Sequence, residues 1–68
     1  MNNQSLEPYI KLDQFLKWQG VTQTGGEAKL RIKAEEVAVN GEIETRRGRK
    51  LRTGDRVTVM GKTYQVQL

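Results

Sequence analysis

The chain has 68 residues and 7.8 kDa, and 35% of it is hydrophobic, so it holds one small domain with a thin core and excludes a multi-domain enzyme. It contains neither Cys nor His, which removes disulfide frameworks, zinc fingers, thiolate nucleophiles and imidazole bases. Twelve Lys and Arg against eight acids give a net charge of +4, and the excess is concentrated: residues 46–68 hold seven cations and only Asp55, whereas residues 1–45 sum to −2.

Residues 1–6 are polar with little to bury and are expected to form a disordered tail, leaving 7–68 as the domain. The opening Met1-Asn2-Asn3-Gln4-Ser5 lacks the basic and apolar regions of a signal peptide. No stretch approaches the roughly 20 apolar residues of a membrane span, so the chain is expected to be soluble and cytoplasmic, with no membrane partner. Leu12, Phe15 and Leu16 fit one face of a helix, and Gly20 is placed to end it, which predicts helix one over 12–19. Asp13 and Lys17 face away from that stripe as a solvated pair, while Lys11, Gln14 and Trp18 share a flank about 100° from its centre. Trp18 is therefore expected to be half exposed.

Thr24-Gly25-Gly26-Glu27 reads as a capping box, the Thr24 hydroxyl accepting from the Glu27 amide and the Glu27 carboxylate reaching back to the Thr24 amide. Helix two should run from there to Ala34 or Glu35, with Ala28 and Ile32 on one stripe, Leu30 and Ala34 on another, and both sides covered. Glu27 and Arg31 form a pair one turn apart, whereas Lys29 and Lys33 have no acid four residues before them and stay free for an outside ligand. Beyond Val37 the period changes to two, with Val37-Ala38-Val39, Ile43, Leu51, Val57-Thr58-Val59 and Tyr64-Gln65-Val66 as strand material. Gly61-Lys62 suits a type II′ turn, and Asp55 is expected to hold the Gly54 turn. A strict two-residue turn at Asn40-Gly41 would put Ile43 on the opposite face from Val37 and Val39, so a bulge or irregular connection is expected there.

Five of the seven late cations fall between 46 and 52, a density that costs folding energy unless a polyanion or solvent screens it, and nucleic acid is the first candidate partner. Arg outnumbers Lys four to one in that tract, and guanidinium forks match phosphate bidentately; Gly48 lets the backbone bend so that they converge. Three segments carry a resemblance: Lys11-Leu12-Asp13-Gln14-Phe15-Leu16; Gly25-Gly26-Glu27-Ala28-Lys29 with Ile32; and Val37-Ala38-Val39-Asn40-Gly41 followed by 44–55. Together they resemble the ribosomal protein S4-like RNA-binding domain, the α-L motif, and in particular its small stand-alone bacterial members associated with ribosomes. The resemblance implies an α+β fold, two N-terminal helices packed on a small, mostly antiparallel sheet, and binding rather than catalysis. It implies RNA contacts at Lys11, Lys29, Lys33, Arg46, Arg47, Arg49, Lys50 and Arg52. Many relatives carry Gly near the end of helix two where this chain has Glu35; if that site needs a positive φ, the replacement costs on the order of 1 kcal/mol. The Glu35-Glu36 pair would also repel phosphate there.

Other candidates are weaker. Gly25 and Gly26 leave open amides at a helix start that a phosphate could approach, although a plain cap explains most of that signal. Trp18 is either satellite packing or a platform for an unpaired base, while Tyr9 and Tyr64 have weaker claims. Asp13, Glu27, Asp55 and the pairs Glu35-Glu36 and Glu42/Glu44 lack any phosphate loop or nucleophile motif beside them, so no catalytic residue, metal site or cofactor is assigned. The reading is a non-catalytic RNA-binding protein, expected to act as a monomer. It docks structured RNA, ribosomal or transfer, on the ribosome or its assembly intermediates through phosphate contacts and shape. The alternative is an adaptor whose sheet edge or basic loop binds an acidic protein on a ribosomal or regulatory assembly. Charge reversal at Arg46, Arg47 and Arg49 is expected to abolish retention on ribosomal RNA and leave the fold intact.

Overall fold

The computed structural model describes residues 8–68, so the expected tail lies outside the described residues. A short strand β1 (Ile10–Lys11) leads directly into α1 (Leu12–Trp18), and α2 (Gly25–Lys33) follows. Leu12, Phe15 and Leu16 recur at helical spacing and are all buried, and Gly20, at φ 80, turns the chain out of α1. Thr24 caps α2 as expected, its hydroxyl accepting from the Glu27 amide at 3.1 Å. The return arm differs: Glu27 Oε1 accepts from the amide of Gln23, one residue earlier, at 3.0 Å. Ala28 and Ile32 fill the inner side of α2, but the second stripe is not covered: Leu30 is 70% exposed and Ala34 is exposed too. At 100° per residue Leu30 stands roughly opposite the Ala28–Ile32 seam, out of reach of α1 and the sheet.

Helix α2 ends in a Schellman turn. The Glu36 amide donates to the Arg31 carbonyl and the Glu35 amide to the Ile32 carbonyl, both at 3.1 Å, with Glu35 held at φ 63. The remaining strands are β2 (Val37–Val39), β3 (Glu42–Ile43), β4 (Lys50–Leu51), β5 (Arg56–Val59) and β6 (Lys62–Gln65). All pairings are antiparallel, in a four-stranded sheet of order β3-β2-β5-β6 and a separate two-stranded ribbon of β1 with β4. The α+β architecture of two helices and small antiparallel sheets stands; β1 and its ribbon were not foreseen.

Two turns correct the sequence reading. Val39 pairs with Glu42 and Ala38 with Ile43, so the Asn40-Gly41 turn is strict and no bulge intervenes. Asn40 and Gly41 both take positive φ, 53 and 88, which fits a type I′ turn, and Ile43 is left 57% exposed on the outer face. Turn chemistry set the register here, because one exposed isoleucine costs less than breaking it. Asn40 also ties the turn inward: Nδ2 donates to Asp55 Oδ1 at 3.1 Å and Oδ1 accepts from the Arg56 amide at 2.9 Å. In the last hairpin Val59 pairs with Lys62, so the turn residues are Met60 and Gly61, at φ 55 and 77, rather than Gly61-Lys62. The core joins the buried faces of both helices to Val37, Val39, Leu51, Val57, Val59 and Val66. Among the described residues no helix is long and apolar enough to cross a membrane.

Candidate nucleic-acid interface

Helix α1 has no side-chain cap, and Lys11 occupies its N-cap position. Its first amides are satisfied by the basic loop instead: Leu12 N–H donates to the Arg49 carbonyl at 2.8 Å and Asp13 N–H to the Arg47 carbonyl at 3.1 Å. The loop is thereby stapled to the start of α1 by its backbone. Its own bend is a turn in which the Arg49 amide donates to the Arg46 carbonyl at 3.2 Å. Gly48 in that turn stays outside the left-handed region, and a Cβ there would meet open space, so the bend does not require glycine.

The ribbon then sets Lys11 directly opposite Lys50. Like charges facing each other across strands oppose folding, and no acid among the described residues relieves Lys11. Lys50 Nζ lies 4.8 Å from the centroid of the Tyr9 ring and Arg52 Cζ lies 6.0 Å from it, so an aromatic face brings Arg52 beside Lys50. Lys11, Arg46, Arg47, Arg49, Lys50 and Arg52 thus gather around the start of α1. Lys29 and Lys33 stand apart on the exposed flank of α2, which packs on α1. Neither side chain has a hydrogen bond or ion pair among the described residues, and none joins them to the loop.

The loop cations are not equivalent. Glu44, 7% exposed, accepts from Arg46 Nε at 2.9 Å, from Arg46 Nη2 at 3.1 Å and from Arg49 Nη1 at 2.8 Å. The Arg46 amide donates to the same carboxylate at 3.1 Å. Hydrogen bonds from Arg46 outweigh the opposing effect of burial, and with Arg49 they hold the Glu44 carboxyl at about 2. The Arg46 guanidinium is raised in turn by the same hydrogen bond. Asp55 is lowered chiefly by the Arg52 amide, which donates to Oδ2 at 2.8 Å, so it holds its turn as the sequence suggested. Reversing charge at Arg46 and Arg49 would therefore strip a buried carboxylate of its partners and destabilise the fold, so a loss of RNA retention in that variant would not report on binding alone. Arg47, with no side-chain partner among the described residues, is the clean position for that test.

Trp18 is 60% exposed, on the same helical flank as Lys11, with its ring edge-on to Phe15 at 6.4 Å between centroids. At Gly25 and Gly26 the amides are sterically open, a Cβ at Gly26 meeting only Thr24 Oγ1 at 3.9 Å, but Glu27 already occupies that helix end.

A family model described as S4 domain matches residues 4–67. The chain belongs to the S4 domain family. In Bacillus subtilis (strain 168), the protein named "Probable ribosome maturation protein RlbA" is 52% identical over 52 residues, 76% of this chain and 73% of the relative. In Escherichia coli (strain K12), the "Putative RNA-binding protein YbcJ" is 36% identical over 59 residues, 87% of this chain and 84% of the relative.

The roles of two residues on this S4 domain's basic face differ from the sequence reading, which set Glu44 aside as an acid without a motif and gave Tyr9 only a weak claim to base stacking. Glu44 carried a signal: an acid two residues before Arg46 in an extended segment shares its face, which is the spacing of an ion pair. Tyr9 carried none, because its partner Lys50 reaches it only through the β1–β4 ribbon.

Proposed function

We propose that this S4 domain is a non-catalytic protein that docks structured ribosomal RNA, on the ribosome or an assembly intermediate, against the basic face at the start of α1. Lys11, Arg46, Arg47, Arg49, Lys50 and Arg52 position backbone phosphates, with Lys29 and Lys33 extending the contact along α2 and Trp18 offering a face to an unpaired base. The Lys11–Lys50 pair carries the reading: folding forces two cations from distant segments into apposition, an arrangement that opposes stability and serves a polyanion. Family membership and the names of the two relatives support the same direction.

The test is fluorescence anisotropy of the purified protein with labelled fragments of ribosomal RNA, with a transfer RNA and with a plain duplex of equal length. Folded ribosomal fragments should bind most tightly. For about five neutralised phosphates, log K should fall with log salt at a slope near −3.5 to −4.5, roughly two to three decades between 50 and 200 mM. A slope near zero, or binding that requires an added protein, would overturn the reading, and preference for the transfer RNA would redirect it.

A further inference from the structure

Glu44 is a buried acid set against the arginines of a surface that gathers cations. If the loop worked by charge alone, this carboxylate would be a liability, cancelling part of the field of Arg46 and Arg49. Its geometry points elsewhere. Both oxygens are engaged, and they take defined donors: Nε and Nη2 of Arg46 and Nη1 of Arg49. The Arg46 amide fixes the carboxylate from the backbone, and the Glu44 amide donates to the Val37 carbonyl at 2.9 Å, anchoring the clamp to β2. Among the described residues, Nη1 of Arg46 and Nε and Nη2 of Arg49 have no hydrogen-bond partner and are open to an outside acceptor, and the Arg46 side chain remains 72% exposed.

Resting on the RNA-binding reading above, we propose that Glu44 is a positioning residue that locks Arg46 and Arg49 into a preorganised fork for one stretch of RNA backbone. Two free arginines would lose rotamer freedom on binding; these two lose it on folding, so their ordering does not weaken the complex. A flexible polyanion can adapt to loose or fixed arginines alike. A folded RNA presents phosphates at set spacing and gains from the fixed ones. Glu44 therefore sets selectivity for folded RNA at the expense of general attraction to anions.

Glu44→Gln separates the two accounts by sign. It keeps the side-chain shape and adds one unit of positive charge. We expect the variant to bind heparin as tightly as the wild type or more so, and to bind the folded ribosomal fragment about tenfold more weakly. Tighter binding to both ligands would overturn the proposal, since charge alone would then explain the loop. Circular dichroism at the assay temperature establishes that the variant is folded. If it is not, Glu44→Asp decides, because it preserves net charge while drawing the carboxylate one methylene back from the guanidinium donors of Arg46 and Arg49. Loss of affinity for folded RNA with heparin binding retained supports the proposal; unchanged affinity for folded RNA overturns it. A wild type that binds no RNA would instead end the functional reading itself.

Discussion

Lys11→Glu is expected to raise stability and lower RNA affinity together. Lys11 faces Lys50 across the β1–β4 ribbon and occupies the N-cap position of α1, where the helix dipole favours negative charge. Turning a like pair into an opposite pair across strands contributes about 0.2–1 kcal/mol, and an acid at the helix start about 0.3–1 kcal/mol. Both sites are exposed, so a net gain near 1 kcal/mol is the sensible figure, or about 4–8 °C in Tm for a domain of this size. Binding should move the other way: one phosphate contact is replaced by repulsion, K falls about tenfold, and the salt slope becomes shallower by about 0.7–0.9. Thermal melts followed by circular dichroism at low salt, alongside anisotropy with the ribosomal fragment, read both quantities on one preparation. A lower Tm with unchanged affinity would refute the reasoning, because Lys11 would then be a structural residue rather than a functional one.

Other outcomes follow from the same geometry. Glu35→Gly should stabilise the fold by roughly 0.5–1 kcal/mol in urea unfolding, because Glu35 sits at φ 63 in the Schellman turn, where a side chain is strained. Stability should also fall in acid: Glu44, held at about 2 against an ordinary 4.5, contributes fully above pH 4.5 and loses that contribution as pH drops toward 2. Given the exposure of Arg46, the loss is on the order of 2 kcal/mol, and a urea midpoint that stays flat across that window would count against the clamp. Trp18→Ala should leave a folded spectrum, since the ring is 60% exposed, while weakening RNA binding by about 1–3 kcal/mol if a base stacks there.

Local signals were readable and distant ones were not. The stripe Leu12, Phe15, Leu16 and the Thr24 cap placed both helices within a residue or two, because periodicity and capping act over one turn. The Asn40-Gly41 dipeptide also stated its turn correctly, and the error lay in demanding that Ile43 be buried when a domain this small leaves one sheet face open. Met60 at φ 55 is a different case: a methionine in the left-handed region has no sequence signature, and only the register of β5 with β6 imposes it. The basic tract could be counted from the sequence, but its division into clamped and free cations depends on Glu44 being buried.

The places where local rules break are informative as a set. Lys11 opposite Lys50 and Glu35 in a conformation suited to glycine each cost the isolated fold something, whereas Glu44, an acid buried beneath two arginines, stabilises it through them. Two of the three, the lysine pair and Glu44, lie on the face built around the start of α1, where a polyanion would neutralise the lysines and engage the spare guanidinium donors. Glu35 lies at the far end of α2, beyond Lys29 and Lys33, and its strain has no such compensation. If Glu35→Gly stabilises the protein without altering RNA affinity, the strain there is unconnected with binding. If it also tightens binding, the RNA path runs past that helix end, and the acid limits how far the contact extends along α2.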